Sequence, residues 1–244
     1  MPKSFSARMF VALIVISGLL LLGDAVFNAQ SMPTVKFLAL LVVACVASRL
    51  RIKLPGVTGT MSVNLPFILV AAAEMNTAEA LAIGCISTFF QCPAKGKKFN
   101  PVQAAFNCST IMLAVAATRL IYAAPSVASV ISSPSLRLAV AAAGYALANT
   151  VPVAIVIGLT EAVSVFRTLL EMLQLSFPYL VASAGVAGLT LTVTQEIGWQ
   201  VPLVVLPIMA GIFLSYRRYF AATVSAAANM RVETSNHATA GASA

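Results

Sequence analysis

The chain has 244 residues, of which 60% are apolar and only 9% are charged, and its mean hydropathy is +0.95. Soluble globular domains carry about 25% charged residues, so this composition excludes a soluble enzyme, and the high hydropathy excludes an intrinsically disordered chain. The 4 cysteines are too few for a disulfide-stabilised scaffold. We therefore expect an integral membrane protein, in which the positions of the 15 basic and 7 acidic residues predict the orientation.

Eight apolar segments predict an all-α bundle of about eight membrane-spanning helices. A helix needs about 20 apolar residues to cross about 30 Å of hydrocarbon. In chain order the segments are Met9–Phe27, Val35–Ser48, Met61–Ala73, Thr77–Cys92, Pro101–Ala124, Leu136–Thr160, Phe177–Thr194 and Val201–Tyr216. The second, third and fourth are shorter than a full span. Either they extend into their loops, or the third is a broken or re-entrant element buried by its neighbours.

The distribution of lysine and arginine predicts which face of the bundle is cytoplasmic. If the N-terminus is cytoplasmic and all eight segments cross, twelve of the 15 basic residues lie on the cytoplasmic side. Only Lys36, Arg119 and Arg137 lie outside, and the two arginines are close enough to the outer surface to snorkel towards it. Because basic residues are retained in the cytoplasm, we expect a multi-pass protein of a bacterial inner membrane with both termini cytoplasmic.

Local signals predict where several helices begin and bend. Asn76, Asn100 and Ser133 each stand where an N-cap residue is expected before an apolar segment. Prolines within three of the segments predict kinks that free a backbone carbonyl, at Pro66, Pro152 and Pro207.

Two further segments are expected outside the spans. Residues 163–174 combine an apolar face with a polar one, which predicts an amphipathic helix on the cytoplasmic membrane surface. It is either a simple connector or a contact surface for a cytoplasmic partner. Residues 1–220 are then the transmembrane bundle, and residues 221–244 are a cytoplasmic helix extension followed by a disordered tail.

The sequence shows no catalytic constellation, so we expect neither an enzyme nor a bound cofactor or metal, and no nucleic-acid partner. No charged residue lies in the middle of a predicted span, which argues against a proton-coupled pump. Uncharged polar residues within spans need partners, either each other or a ligand. The candidate ligand-binding residues are Ser62, Asn64, Asn107 and Asn149, with interhelical hydrogen bonding as the alternative. The cysteines are expected to pack in the core, and Cys92 and Cys108 are expected near each other.

The loop before the third segment contains Pro55, Gly56 and Gly59. Glycine reaches backbone dihedral angles that other residues avoid, so this loop is either a hinge or an ordinary turn. Small residues four positions apart, such as Ala184 with Gly188, favour close helix packing and allow for a homo-oligomer.

Two stretches together resemble a known kind of membrane module. They are Arg51–Leu69, with the sequence RIKLPGVTGTMSVNLPFIL, followed by Glu74, Glu79 and a helix ending at Gln91, and residues 100–107, with the sequence NPVQAAFN. They resemble the integral-membrane sensor modules, of the membrane-associated sensor type, that precede GGDEF diguanylate cyclase or HD-GYP phosphodiesterase domains in bacterial signalling proteins. The resemblance covers roughly Arg49 to Ala117.

The resemblance implies a cytoplasmic C-terminal helix that leads to an output domain. No GGDEF or HD-GYP sequence follows Tyr219. We therefore expect a stand-alone sensory module that signals to a separate cytoplasmic partner through Arg217–Arg231. The alternative is a small-solute transporter or the substrate-binding subunit of one, and a structural or assembly subunit is a third possibility.

Overall fold

A computed structural model describes residues 5–29, 35–53, 60–92, 99–198, 200–211, 214–215 and 218. The described chain is all-α apart from one short β-ribbon. Its elements are α1 (Phe5–Phe27), α2 (Val35–Ser48), β1 (Arg51–Lys53), β2 (Thr60–Ser62), α3 (Leu65–Glu74), α4 (Thr77–Gln91), α5 (Pro101–Ala123), α6 (Pro125–Val130), α7 (Pro134–Glu161), α8 (Val165–Ile197) and α9 (Val201–Gly211).

In the described residues, four helices are long and apolar enough to cross a membrane. They are α1, α5, α7 and the part of α8 from Val165 to Thr194. The apolar helices α2, α3 and α9 are shorter. At 1.5 Å per residue, the 10 residues of α3 span about 15 Å, which is half of a hydrocarbon core of about 30 Å. The helix lengths therefore support a membrane protein with four candidate spans rather than eight full-length ones.

The predicted helix starts are confirmed by their capping hydrogen bonds. The Asn76 side chain accepts a bond of 2.8 Å from the Glu79 backbone N–H, and the Glu79 carboxylate accepts one of 3.3 Å from the Asn76 backbone N–H. This reciprocal pair is a capping box. Asn100 and Ser133 each accept a bond from the backbone N–H three residues later, and a proline follows each of them at the start of its helix.

The third predicted segment, Met61–Ala73, is broken. Residues Thr60–Ser62 form β2, which pairs antiparallel with β1 in the register Ile52 opposite Met61, and α3 begins only at Leu65. Pro66 lies in the first turn of α3, where a proline frees no carbonyl of a preceding helical turn, so the predicted kink there is wrong. Pro152 and Pro207 do lie inside α7 and α9.

The predicted boundary between the amphipathic segment and the seventh span is absent. Helix α8 runs unbroken through 33 residues and contains both segments, with Pro178 inside it. The sequence suggested two elements because the amphipathic pattern of residues 163–174 differs from the continuously apolar pattern of Phe177–Thr194. At about 50 Å, α8 is longer than the hydrocarbon core is thick, so part of it extends beyond the bilayer when the helix spans.

Contacts at helix ends show that α1 to α5 alternate in direction. At one end, Arg119 of α5, Asp24 of α1 and Asn76 before α4 line one cleft. At the other end, the Arg49 guanidinium carbon after α2 lies 5.8 Å from the ring centroid of Phe90 in α4. We call the first of these the Arg119 end. Helices α1, α3 and α5 run towards it, and α2 and α4 run away from it.

Helices α7 and α8 continue this alternation and pack closely. Ser135, in the first turn of α7, donates a hydrogen bond of 3.1 Å to the Gly188 carbonyl of α8. Near the other end of α7, Gly158 packs against Val165 at the start of α8. The two helices are therefore antiparallel, with α7 starting at the Arg119 end.

The innermost element is α3. Every residue from Leu65 to Ala72 is buried, and the elements around the helix are themselves apolar. It contacts α2, α4, α5, α7 and α8. A helix that is apolar on all sides has to be enclosed by protein or lipid, and here the long helices enclose it.

Candidate functional site

The N-terminus of α3 lies inside the bundle, about 15 Å from the Arg119 end. The Leu65 backbone N–H donates a hydrogen bond of 3.3 Å to the hydroxyl oxygen of Tyr179, near the middle of α8. Tyr179 is buried, as is Tyr145 of α7. The first N–H groups of a helix have no partner within the helix, so the Tyr179 hydroxyl fixes the start of α3 to α8.

The residue before α3 makes a second interhelical contact. The side-chain amide of buried Asn64 donates a hydrogen bond of 3.1 Å to the hydroxyl of Ser87 in α4, and that hydroxyl donates to the Gly84 carbonyl at 3.2 Å. The Asn64 side chain does not cap α3. Asn64 therefore makes an interhelical hydrogen bond, one of the two alternatives expected for it, and a ligand-binding role for it stays a prediction.

The other residues of the predicted pocket are spread over different elements. Asn107 in α5 and Asn149 in α7 are half-buried and lie on different helices from the Asn64–Ser87 contact. Ser62 lies in β2, opposite Arg51. The predicted hinge residues Pro55, Gly56 and Gly59 lie outside the described residues, as do residues 221–244 and all of the predicted partner segment Arg217–Arg231 except Arg218.

A cleft at the Arg119 end, lined in part by polar and charged side chains, was not predicted from the sequence. Its volume is about 310 Å³, which is at the lower end of the range for small-molecule pockets. It lies between the end of α1, the start of α4 and the last turns of α5. The lining residues are Asp24, Ala25, Asn28, Ala29, Asn76, Thr77, Ala78 and Arg119.

Arg119 has two roles in this arrangement. It lines the cleft, and its Nη1 donates hydrogen bonds to the carbonyl oxygens of Ala72, at 2.9 Å, and Met75. The last carbonyls of a helix have no partner within it and carry partial negative charge, so a guanidinium there stabilises the end of α3. The sequence predicted that Arg119 reaches outward to the surface, whereas the structure directs it towards α3.

The end of α3 also carries an ion pair. Glu74, the last residue of α3, lies 2.8 Å from the Lys36 ammonium at the start of α2. A carboxylate is unfavourable at a helix C-terminus because of the helix dipole. Lys36 and Arg119 offset this effect, so α2 and α5 together fix the end of α3.

Cys108 lies near Cys92, as the sequence predicted, and also contacts Cys85. The Cys108 thiol donates a hydrogen bond of 3.6 Å to the Cys85 carbonyl, which joins α5 to α4, while the Cys92 thiol bonds within its own helix to the Thr88 carbonyl. All four cysteines are unbridged. In the part of the chain that the structure describes, no cluster of three or more His, Cys, Asp or Glu residues could hold a metal ion.

Comparisons with known proteins do not identify the chain: no protein-family model, no curated protein and no solved structure matches it. The resemblance to sensor modules therefore rests on the two motif stretches alone. The contacts of α3 and of the Arg119 cleft are the observations from which a function can be argued.

Proposed function

We propose that the chain is a multi-pass bacterial inner-membrane sensory module that binds a small or lipid-borne ligand in the Arg119 cleft. The observation that carries the proposal is that one guanidinium both lines the cleft and donates to the end of α3. A ligand that bonds to Arg119 changes the hydrogen bonding that holds this buried helix in place.

The contacts at the other end of α3 supply a route for the signal. The start of α3 is fixed to α8 through Tyr179 and to α4 through Asn64 and Ser87. A movement of α3 along its axis therefore has to alter a buried hydrogen bond to α8, the helix that leads to α9. A ligand shifts the equilibrium between two positions of α3 only if its affinity differs between them. Arg119 provides that difference because it contacts both the cleft and the end of α3.

The same proposal places the Arg119 end on the periplasmic side. Seven helices, α1 to α5, α7 and α8, alternate in direction, and in this proposal α9 makes the eighth crossing, which returns the chain to the opposite end. Arg8, Arg49 and Arg167 lie towards the opposite end, which is the pattern that basic residues follow at a cytoplasmic face. The C-terminal segment, including Arg217–Arg231, is then available to a cytoplasmic signalling partner.

Hydrogen–deuterium exchange on the purified protein in nanodiscs tests the coupling. We expect Arg119→Gln to increase amide exchange in α3 and also in the part of α8 around Tyr179. The matched control is Arg137→Gln, because Arg137 lies at the same end but over the Tyr122 ring, 5.2 Å from its centroid, and does not line the cleft. Faster exchange in α3 without any change in α8 would show that α3 does not transmit to α8.

The length of α3 favours a second candidate, a small-solute transporter or the substrate-binding subunit of one. Helices interrupted near the bilayer midplane form the substrate sites of many transporters, and α3 begins about 15 Å below the Arg119 end. Proteoliposomes given a radiolabelled amino-acid mixture separate the two functions. A sensor binds the label without accumulating it inside the vesicles, whereas a transporter accumulates it.

A further inference from the structure

The Arg119 cleft contains one cationic and one anionic side chain, and neither has an ion-pair partner among the described residues. The ion pairs among the described residues join Lys36 to Glu74 and Arg167 to Glu171, and none of these four residues lines the cleft. Arg119 uses Nη1 for the carbonyls of α3, which leaves its Nη2 and Nε free of protein acceptors in the same part of the chain. The Asp24 carboxylate accepts one hydrogen bond of 3.0 Å, from the Asn28 side-chain amide.

We infer that the ligand of this cleft carries both an anionic group and an ammonium group, as a free amino acid or a phosphatidylethanolamine headgroup does. The inference rests on the proposed ligand-binding role of the cleft and adds the chemical class of the ligand. The anionic group pairs with Arg119 and the ammonium group with Asp24. The side chains of Asn28 and Thr77 also line the cleft and can supply hydrogen bonds to the atoms between the two charged groups.

The two charges also exclude ligands that carry only one. A simple carboxylate gains the contact with Arg119 but is repelled by Asp24, and a simple amine gains Asp24 but is repelled by Arg119. Specificity is a difference in affinity, and like-charge repulsion against the wrong ligand is one way to obtain it. The volume of about 310 Å³ restricts the bound part to a small molecule or to the headgroup of a lipid.

Two binding experiments distinguish a soluble ligand from a lipid. In the first, isothermal titration calorimetry in detergent compares glycine, β-alanine and 4-aminobutyrate with acetate, propionate and butyrate, which lack the ammonium group. In the second, native mass spectrometry compares retention of phosphatidylethanolamine with that of phosphatidylglycerol, which lacks the ammonium group. We expect the ammonium-bearing member to bind at least about tenfold more tightly in one of the two experiments, the effect of one charge-assisted contact.

The variant Asp24→Asn should remove this preference, because it removes the partner of the ammonium group. The control Glu196→Gln changes an exposed acid near the end of α8, at the same end of the molecule but outside the cleft, and should keep the preference. The inference is overturned if Asp24→Asn still binds the ammonium-bearing ligand more tightly than the matched ligand without it. It is also overturned if the unsubstituted protein shows no such difference in either experiment. If carboxylates bind as well as amino acids and Arg119→Gln abolishes both, the proposed ligand-binding role stands and the inferred ligand class fails.

Discussion

A close backbone contact between α1 and α5 gives a sharp test of the fold. At Gly18 of α1, an added Cβ atom would lie 2.6 Å from the Ser109 Cβ and 2.8 Å from the Ser109 Cα of α5. Ordinary contacts at such positions are 3.4–4 Å, so Gly18→Ala forces the two helices apart by close to an ångström. Gly23 of the same helix has no atom within 4 Å of its added Cβ and is the matched control.

The two substitutions share one effect and differ in another. Both replace glycine by alanine in a helix, which favours the folded state by up to about 1 kcal/mol. Only Gly18→Ala adds overpacking, which costs about 1–3 kcal/mol. The difference between the variants therefore isolates the steric cost. At about 2–4 °C per kcal/mol for a chain of this size, Gly18→Ala should unfold several degrees below Gly23→Ala.

Fluorescence-detected size-exclusion chromatography of detergent-solubilised protein after heating measures this difference. Equal apparent melting temperatures for the two variants would show that α1 does not pack against α5 at Ser109. The placement of the first helix in the bundle would then be wrong. A larger residue at Gly18, such as valine, should increase the effect in the same direction because it extends further towards α5.

Three further predictions follow from individual contacts. Ser87→Ala leaves the buried Asn64 amide without its acceptor and should lower the free energy of unfolding by about 1–3 kcal/mol, measured by thermal unfolding; an unchanged value would contradict the α3–α4 contact. Tyr179→Phe should speed amide exchange at the start of α3 while leaving its end unchanged, and uniform exchange along α3 would argue against this bond. In a cysteine-free background, Asn28→Cys should react with a membrane-impermeant maleimide in intact cells and Arg167→Cys only after permeabilisation; the reverse pattern would invert the proposed orientation.

Much of the fold could be predicted from the sequence because helix starts and long apolar runs are local signals. Asn76, Asn100 and Ser133 mark their helices by the spacing of residues a few positions apart. The errors arose where packing in the folded bundle, rather than the local sequence pattern, decides where a helix begins or ends. The change from an amphipathic to an apolar pattern suggested two elements where α8 is one helix, and Pro66 suggested a kink where the structure begins a helix.

The candidate site was predicted less well because its residues come together only in the folded bundle. Asn64 could be singled out, since an amide within an apolar segment needs a partner, but its partner Ser87 could not. The cleft combines the end of α1, the start of α4 and a late turn of α5. One signal was present in the sequence: Arg119 was predicted near the outer surface, Asp24 lies near the end of the first predicted span, and Glu74 directly follows the third.

The shortness of α3 has a consequence for how the protein is made. A helix of 10 residues is too short to be recognised by the insertion machinery as a span of its own, so α3 has to enter the membrane together with α4. The Leu65 N–H at the start of α3 donates to the Tyr179 hydroxyl, which is missing until α8 has been synthesised. An unsatisfied backbone N–H in lipid is costly. Nascent chains that stop before α8 should therefore be substrates for membrane quality-control proteases.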